Sequence, residues 1–380
     1  KTLINGCASG AGAASVVSGM AGRERAKPAL RCGYGPWGGR LKFSILSRFV
    51  LPPAALHCVA FAVHAPASMP STYCPDVAAV LVTYHPHAAA LQEALTALHQ
   101  QVAQVYVVDN TGAPDACPWL PALVAQAPVP AQLLAQPQNL GLGAAHNIGI
   151  QAASAQGARW VLLLDQDSRP EPDAVARLRN AALALQHQGQ RLAAVGPEYR
   201  AEDGKDWSGF VRFGWLRLVH RRASAARPVV EADFLISSGS LIPMAALEAI
   251  GPMDEGLFID HVDTEWCLRA RSQGYRLFGV HGARMIHTLG EQRWRVWLGR
   301  WRNLPLHAPF RYYYIFRNNA LLLRRPELSA RWKRISRLRH LYLALFCCLP
   351  TGPWRERLRM IALGLEDARQ QRHGRRDTWE

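Results

Sequence analysis

From Val77 onward, short apolar runs alternate with stretches of helical period. "VAAVLVTY" is a continuous, β-branched run of the kind that fills a buried strand, and "AAALQEALTALHQQ" after it carries leucines at helical spacing. "QVYVVDN" predicts a second strand, and "AQLLAQPQN" a third strand with a turn. "GLGAAHNIGIQAASAQ" predicts a Gly-started helix, and "ARWVLLLDQD" a fourth strand. "LAAVGPEY" follows as a further strand, "DFLISSGSLIP" as a strand leading to a serine-rich turn, and "HVDTEWCLRARSQGY" as a helix. Strands and helices alternating over short connections predict an α/β fold, a mostly parallel central sheet flanked by helices. Such a sheet binds ligands beyond the carboxyl ends of its strands, where helix N-termini gather. Those ends are polar here: Thr83-Tyr84-His85, Asp109-Asn110 and Asp165-Gln166-Asp167.

The pattern changes at both ends of the chain. Residues 1–75 show no sustained period and are rich in Gly, Ala, Ser and Arg, which predicts an extension outside the fold. The functional protein would then begin near Met69, with a transit or signal segment as the alternative. Residues 76–293 form the expected catalytic domain. From Trp294 to residue 380 the chain is expected to be helical, aromatic and basic without a strand pattern. Its arginines account for much of a net charge of +16 over 380 residues, which predicts a face for anionic lipid, nucleic acid or a phosphorylated substrate. In "RWRVWLGRWRNLPLHAPFRYYYIFRNNALLLRRP", arginines beside aromatics suit a membrane interface. The alternative is that Tyr312 to Asn319 packs as core. "LYLALFCCLP" reads as a helix contact, including one between subunits of a homo-oligomer. No run reaches the ~18–20 apolar residues needed to span a bilayer. The 8 cysteines form no C-x-x-C pair, which favours a reduced, cytoplasmic protein without a structural zinc.

"LLLDQDSRPEP" puts Asp165 and Asp167 at the mouth of a buried strand. Two carboxylates so placed can hold a hard divalent cation that carries a diphosphate, or merely cap the helix beginning near Pro172. "NLGLGAAHNIG" offers free backbone N–H groups for a phosphate, although its glycines do not fit a dinucleotide fingerprint. Asp260, Asp263 and Glu265 stand around a helix start, where they act as caps or, aimed into the crevice, as a general base.

The motifs "VLVTYHP", "VYVVDN", "NLGLGAAHNIGI", "LLLDQDS", "SSGSL" and "GLFIDHVDTEWCLRARSQGY" resemble, in their order, the family-2 inverting glycosyltransferases of GT-A fold. The later "RYYYIFRNN" adds a likeness to the bacterial rhamnosyltransferase branch. The resemblance covers roughly Val77 to Leu323 and implies transfer of L-rhamnose from dTDP-L-rhamnose, or another sugar from a related nucleotide sugar. The implied acceptor is a lipid-linked glycan or a growing polysaccharide such as O-antigen, at the cytoplasmic surface of the inner membrane. It also implies Mg²⁺ or Mn²⁺ as cofactor.

Carried over, the likeness puts Thr83, Tyr84, Asp109 and Gln166 on the nucleotide, and Asn139, Gly141, Gly143 and Asn147 in a loop closing over it. Asp167 falls on the metal, Asp165 on ribose or metal, and His287 near metal and diphosphate, with a surface histidine as the alternative. Ser238, Gly239, Trp266 and Arg269 fall at the sugar and acceptor pocket. Asp263 takes the position of the base, although Val262 replaces the usual neighbouring Glu and leaves Asp260 and Glu265 as contenders. Two other classes stay in view. A nucleic-acid-binding protein fits the charge, but no reading module is present. A haloacid-dehalogenase-type phosphatase shares the two aspartates, but here Arg169 follows them and three strands precede them.

Overall fold

The computed structural model describes residues 72–200, 204, 207–287, 292–297, 301–349 and 352–379. The extension expected over 1–75, and with it the start at Met69, lies outside the described residues except for its last few positions. The first strand, β1 (Cys74–Thr83), is buried along nearly its whole length because helices cover both of its faces. It leads through α1 (Ala88–Leu98), β2 (Val102–Asp109), α2 (Leu120–Ala125) and β3 (Ala131–Ala135) to α3 (Leu142–Ala155) and β4 (Trp160–Asp165). Next come β5 (Ser168–Pro170), α4 (Ala174–His187), β6 (Leu192–Arg200), β7 (Phe210–Phe213), β8 (Leu218–Arg221) and β9 (Val229–Ala232). The domain continues with β10 (Leu241–Pro243), α5 (Met244–Ile250), α6 (Val262–Ser272) and β11 (Arg276–His287).

Among the described residues the central sheet has nine strands in the order β3-β2-β1-β4-β10-β6-β11-β5, with β9 also on β11. Strands β1, β2, β3 and β4 run parallel, as do β6 and β11. The short β10 runs antiparallel between β4 and β6. Register carries the expected polar ends to one edge: Thr83 lies opposite Asp109, and Val82 opposite Asp165. The "SSGSL" segment was read as a turn closing a strand, whereas its serines precede β10. Because β10 is antiparallel, its start lies at that same edge, beside the end of β4.

The C-terminal part departs from the expected all-helical reading. It opens with an antiparallel pair, β12 (Gln292–Trp297) and β13 (Trp301–Leu306). The alternation in "QRWRVW" is a strand signal that the dense arginines obscure. Helices α7 (Pro309–Arg324), α8 (Ala330–Cys347) and α9 (Trp354–Arg369) follow, in the same compact unit as the sheet. Tyr312 to Asn319 is buried throughout, so the packed-core alternative holds for α7. No helix among the described residues is long and apolar enough to cross a membrane.

Helix α3 lies so close to the sheet that a Cβ on Gly149 would come within 2.3 Å of the Val80 side chain. The same helix buries His146 completely, with neither ring nitrogen partnered. Burial holds this imidazole down at about 4, against an ordinary 6.5. The unfolded chain therefore takes up a proton that the folded chain refuses. The stability this group contributes is complete above pH 6.5 and is lost as pH falls from 6.5 toward 4, by about 3 kcal/mol. His146→Leu is expected to remove that share of the acid limb. Urea unfolding at pH 7 and pH 4.5 checks it, and an equal loss in both proteins counts against the assignment.

Candidate functional site

The crevice is built where β1, β2, β4 and β11 end. Asp165 closes β4 and Asp167 follows it. β5 then turns back antiparallel onto β11 and sets Ser168 opposite His287. One ligand atom from each of Asp165, Asp167 and His287 lies within 4.8 Å of the other two. His287 Nδ1 is 3.3 Å from Asp167 Oδ1, and Nε2 is 3.8 Å from Asp165 Oδ2. Two carboxylates and one imidazole converging on one point form a donor set that suits a divalent cation such as Mn²⁺ or Mg²⁺. Burial pushes the Asp165 carboxyl up to about 6, and the charges of Asp167 and Asp263 push the same way against the pull of His287. Burial alone would lower His287, but its hydrogen bond to the Asp167 carboxylate and the charges of both aspartates hold it above its ordinary value.

A layer of hydroxyls lies beneath. Ser168 Oγ is 2.9 Å from His287 Nδ1 and 2.5 Å from Ser238 Oγ, and Ser238 Oγ accepts the Asp165 N–H at 3.2 Å. Both serines are buried, so Ser238, with Gly239 beside it, props the aspartates from behind instead of lining an open pocket. Tyr199, at the end of β6, sets its ring edge-on to His287 at 6.4 Å, and the charge of Asp263 helps to raise its phenol after burial itself. Sequence reading missed Ser168 and Tyr199. The signal available for Tyr199 was its place at a strand's carboxyl end.

On the neighbouring strands, Asp109 Oδ1 accepts the hydroxyls of Thr83 at 2.9 Å and Thr111 at 2.6 Å. Gln166 Oε1 accepts the Tyr84 N–H at 2.8 Å, and the Tyr84 ring is exposed. These four residues, with Thr111 added, form one wall.

The loop residues behave differently. Asn139 Oδ1 accepts the Gly141 N–H and the Asn110 amide, which closes the turn onto α3. Gly141 has φ +87°, and a Cβ there would lie 2.6 Å from the Phe258 carbonyl oxygen. Asn147 exchanges two bonds with the Met253 backbone and donates to Glu255. Gly143 lets α3 approach the Asp254 carbonyl. Gly141, Gly143 and Asn147 thus fasten α3 to the segment 251–261, while Asn139 holds the turn before the helix.

That segment leads into α6 and the three acidic contenders, which the structure separates by their partners. Asp260 takes Arg311 at 2.5 Å. Glu265 is fully buried between Arg269 at 2.9 Å and Arg325 at 2.6 Å. Asp263 alone of the three has no cationic partner among the described residues; its Oδ1 accepts the Thr264 N–H at 2.6 Å. Burial raises its carboxyl, with the Asp260 charge adding to the rise. Of Trp266 and Arg269, expected in the acceptor pocket, Trp266 lines a small pocket together with Asp263, and both side chains are tied to the chain before α6. The Trp266 indole donates to Gly251 at 2.9 Å, and Arg269 donates to the carbonyls of Ile250 and Pro252 at 2.6 Å each. Asp263 and Trp266, three residues apart on α6, are neighbours on the helix surface, whereas Arg269 turns to Glu265.

Two further residues missed in the sequence hold the segment. The Asn318 amide nitrogen lies 2.8–2.9 Å from the carbonyl oxygens of Leu257, Ile259 and Asp260. Arg317, 1% exposed, reaches the carbonyls of Gly256, Leu257 and Gly374.

Residues 79–250 match the sequence profile of Glycosyl transferase family 2. The chain is 30% identical over 256 residues to a Shigella flexneri protein named dTDP-rhamnosyl transferase RfbF, covering 67% of this chain and 81% of that one. It is 29% identical over 260 residues to galactofuranosyltransferase GlfT1 of Mycobacterium tuberculosis, covering 67% of this chain and 84% of that one. A solved structure of S. aureus TarS 1-349 in complex with UDP-GlcNAc superposes with a TM-score of 0.49 at 15% identity, over 77% of this chain and 80% of that one. The chain belongs to glycosyltransferase family 2, and its sheet is the GT-A fold. Within the family it stands in the bacterial rhamnosyltransferase branch.

Asn318→Ala is expected to leave three carbonyls without their donor. Removing such buried partners costs about 3 kcal/mol, to be read as a lower urea midpoint at unchanged slope. A midpoint equal to the parent's would show that the amide does not hold this segment.

Proposed function

We propose that the enzyme transfers L-rhamnose from dTDP-L-rhamnose to a hydroxyl of a lipid-linked or polysaccharide acceptor, with inversion at the anomeric carbon. The observation that carries the mechanism is the pairing pattern: Asp263 is the acidic residue of its helix start left without an arginine, and its charge is felt at Asp165. The name of the Shigella relative supports the donor, and that of the mycobacterial relative favours a furanose donor as the second reading.

In this reading Thr83, Tyr84, Asp109 and Gln166 receive the nucleotide. Three donors crowd one oxygen of Asp109, and its second oxygen is left for a base or ribose donor. Asp167, Asp165 and His287 would hold Mg²⁺ or Mn²⁺, which when bound offsets negative charge on the departing diphosphate. The acceptor oxygen attacks the anomeric carbon, the bond from that carbon to the diphosphate oxygen breaks with its electron pair leaving on the diphosphate, and the acceptor proton passes to the Asp263 carboxylate. A carboxyl raised by burial is the stronger base for that proton. The Thr264 N–H fixes the carboxylate, and Ser168 and Ser238 keep the opposing pair in place. The cationic C-terminal helices suit an acceptor presented at an anionic lipid surface of the inner membrane.

Asp263→Asn should keep nucleotide binding and lose transfer by about 10²–10⁴-fold, the usual worth of a general base. Transfer within a few-fold of the parent would sink the assignment. Asp167→Ala should abolish the difference in nucleotide affinity between Mn²⁺ and EDTA, and a difference that persists would move the metal elsewhere. Calorimetry with dTDP-rhamnose, UDP-galactofuranose, UDP-glucose and GDP-mannose, each with Mg²⁺ and with EDTA, decides the donor. Selective metal-dependent binding of dTDP-rhamnose is expected; preference for a UDP-sugar would keep the mechanism and replace the product.

A further inference from the structure

The stretch after α9 turns back over helix α7, and its contacts take no part in the steps described above. Helix α9 lies so close on α7 that a Cβ on Gly364 would come within 2.4 Å of the Tyr313 carbonyl oxygen. The chain then reverses. The Arg372 N–H donates to the Asp367 carbonyl at 2.9 Å, and the Arg376 guanidinium reaches the Asp367 carboxylate at 2.5 Å. That carboxylate also accepts the Tyr313 hydroxyl at 2.5 Å, while the Tyr314 hydroxyl accepts the Arg376 N–H at 3.1 Å.

From there the stretch reaches the segment 251–261. The Gly374 N–H donates to the Gly256 carbonyl at 2.7 Å. Arg317 donates to the carbonyls of both glycines, at 2.6 Å to Gly374 and 3.3 Å to Gly256. His373 closes over Gly256, where a Cβ would lie 3.1 Å from the imidazole Nδ1. The Arg359 guanidinium holds the Trp379 carbonyl. Trp379 sets its indole edge-on to Tyr313 at 5.1 Å and to Tyr314 at 6.1 Å, and Tyr314 in turn stacks on Phe258 at 5.1 Å.

Phe258 is where this path meets the site. It is the first of three non-glycine residues with positive φ ahead of α6, at 62°, a conformation that persists only where the surroundings hold it. Its carbonyl accepts the Leu142 N–H at 2.6 Å, at the start of α3. Asn318 bonds the carbonyls on either side of it, Leu257 and Ile259. Asp263 follows in the first turn of α6. Close-packed rings transmit strain, because one cannot shift without displacing the next.

We infer that Trp379 is a positioning residue for the reaction: through Tyr314 and Phe258 it fixes the strained backbone that leads to Asp263, so that the stretch after α9 completes the support of the base. The inference rests on the glycosyltransferase reading with Asp263 as base.

Trp379→Ala and Trp379→Phe in the full chain test it, by amide hydrogen exchange and by steady-state transfer from dTDP-rhamnose. In Trp379→Ala, peptides spanning 251–261 should exchange about tenfold faster, the worth of two aromatic contacts, while peptides from β1 keep the parent rate. Its kcat should fall about 10- to 100-fold, the scale of a small misplacement of a reacting group. Donor KM should stay within about twofold, since nucleotide binding is untouched. Trp379→Phe, which keeps a ring in place, should restore both exchange and kcat. Exchange over 251–261 at the parent rate would overturn the inference, as would faster exchange with kcat unchanged. A rise in donor KM at unchanged kcat would also overturn it, by giving the path to the α3 loop instead of the base. If exchange rises throughout β1 as well, Tyr314→Phe decides. It keeps the ring stack and removes the acceptor of the Arg376 N–H, so kcat should again fall by a smaller factor, and a parental kcat would overturn the inference. A parent protein that transfers no rhamnose, while Trp379→Ala still speeds exchange over 251–261, would overturn the donor reading and leave the link from Trp379 to the segment standing.

Discussion

The arrangement of the site depends on how the segment between α5 and α6 is held. Its backbone is unfavourable by itself: Phe258, Asp260 and His261, none of them glycine, have φ of 62°, 63° and 64°. Such residues cost about 1–3 kcal/mol each and persist only where surroundings over-determine them. Here they do. Asn318 spreads two N–H groups over three carbonyls, Arg317 spans two turns, and Asn147 and the Leu142 N–H tie the segment to α3. Arg325 draws in both Asp254 and Glu265. Helices α3, α6 and α7 thus meet on the eleven residues 251–261, and Asp263 stands two residues beyond the last strained position.

This convergence explains a division of labour among acidic side chains that sit only a few residues apart. Asp254, Asp260 and Glu265 are all matched by arginines and serve structure. Asp263 is desolvated and unmatched, which raises its carboxyl and couples it to Asp165. Pairing with an arginine would have lowered its basicity, so an unmatched carboxylate suits the proposed role of base. The aspartates of the crevice are likewise unmatched by any arginine or lysine among the described residues, and His287 stands between them.

The C-terminal helices serve two ends. Helix α7 is core, burying three consecutive tyrosines and the two side chains that clamp the segment before α6. Helix α8 turns an apolar stripe and a row of cations outward.

Much of this was legible in the chain itself. A run such as "VAAVLVTY" has too many β-branched apolar residues to be anything but a buried strand, so the parallel sheet and its polar carboxyl edge follow from pattern and connection length. Asp165, Asp167, Asp109 and Thr83 meet because register brings together residues that end neighbouring strands. Facing direction was not legible. Arg269 lies within two turns of Asp263, yet it bonds to Glu265 and to the carbonyls of Ile250 and Pro252, and Asn147 serves a loop more than a hundred residues away. The β12–β13 pair was hidden because charge density and periodicity gave opposing signals there. Local pattern determines elements because backbone preferences and burial act within a few residues. Which carboxylate is left unpaired depends on partners distant in sequence such as Arg311 and Arg325, and only the tertiary structure brings those to their places.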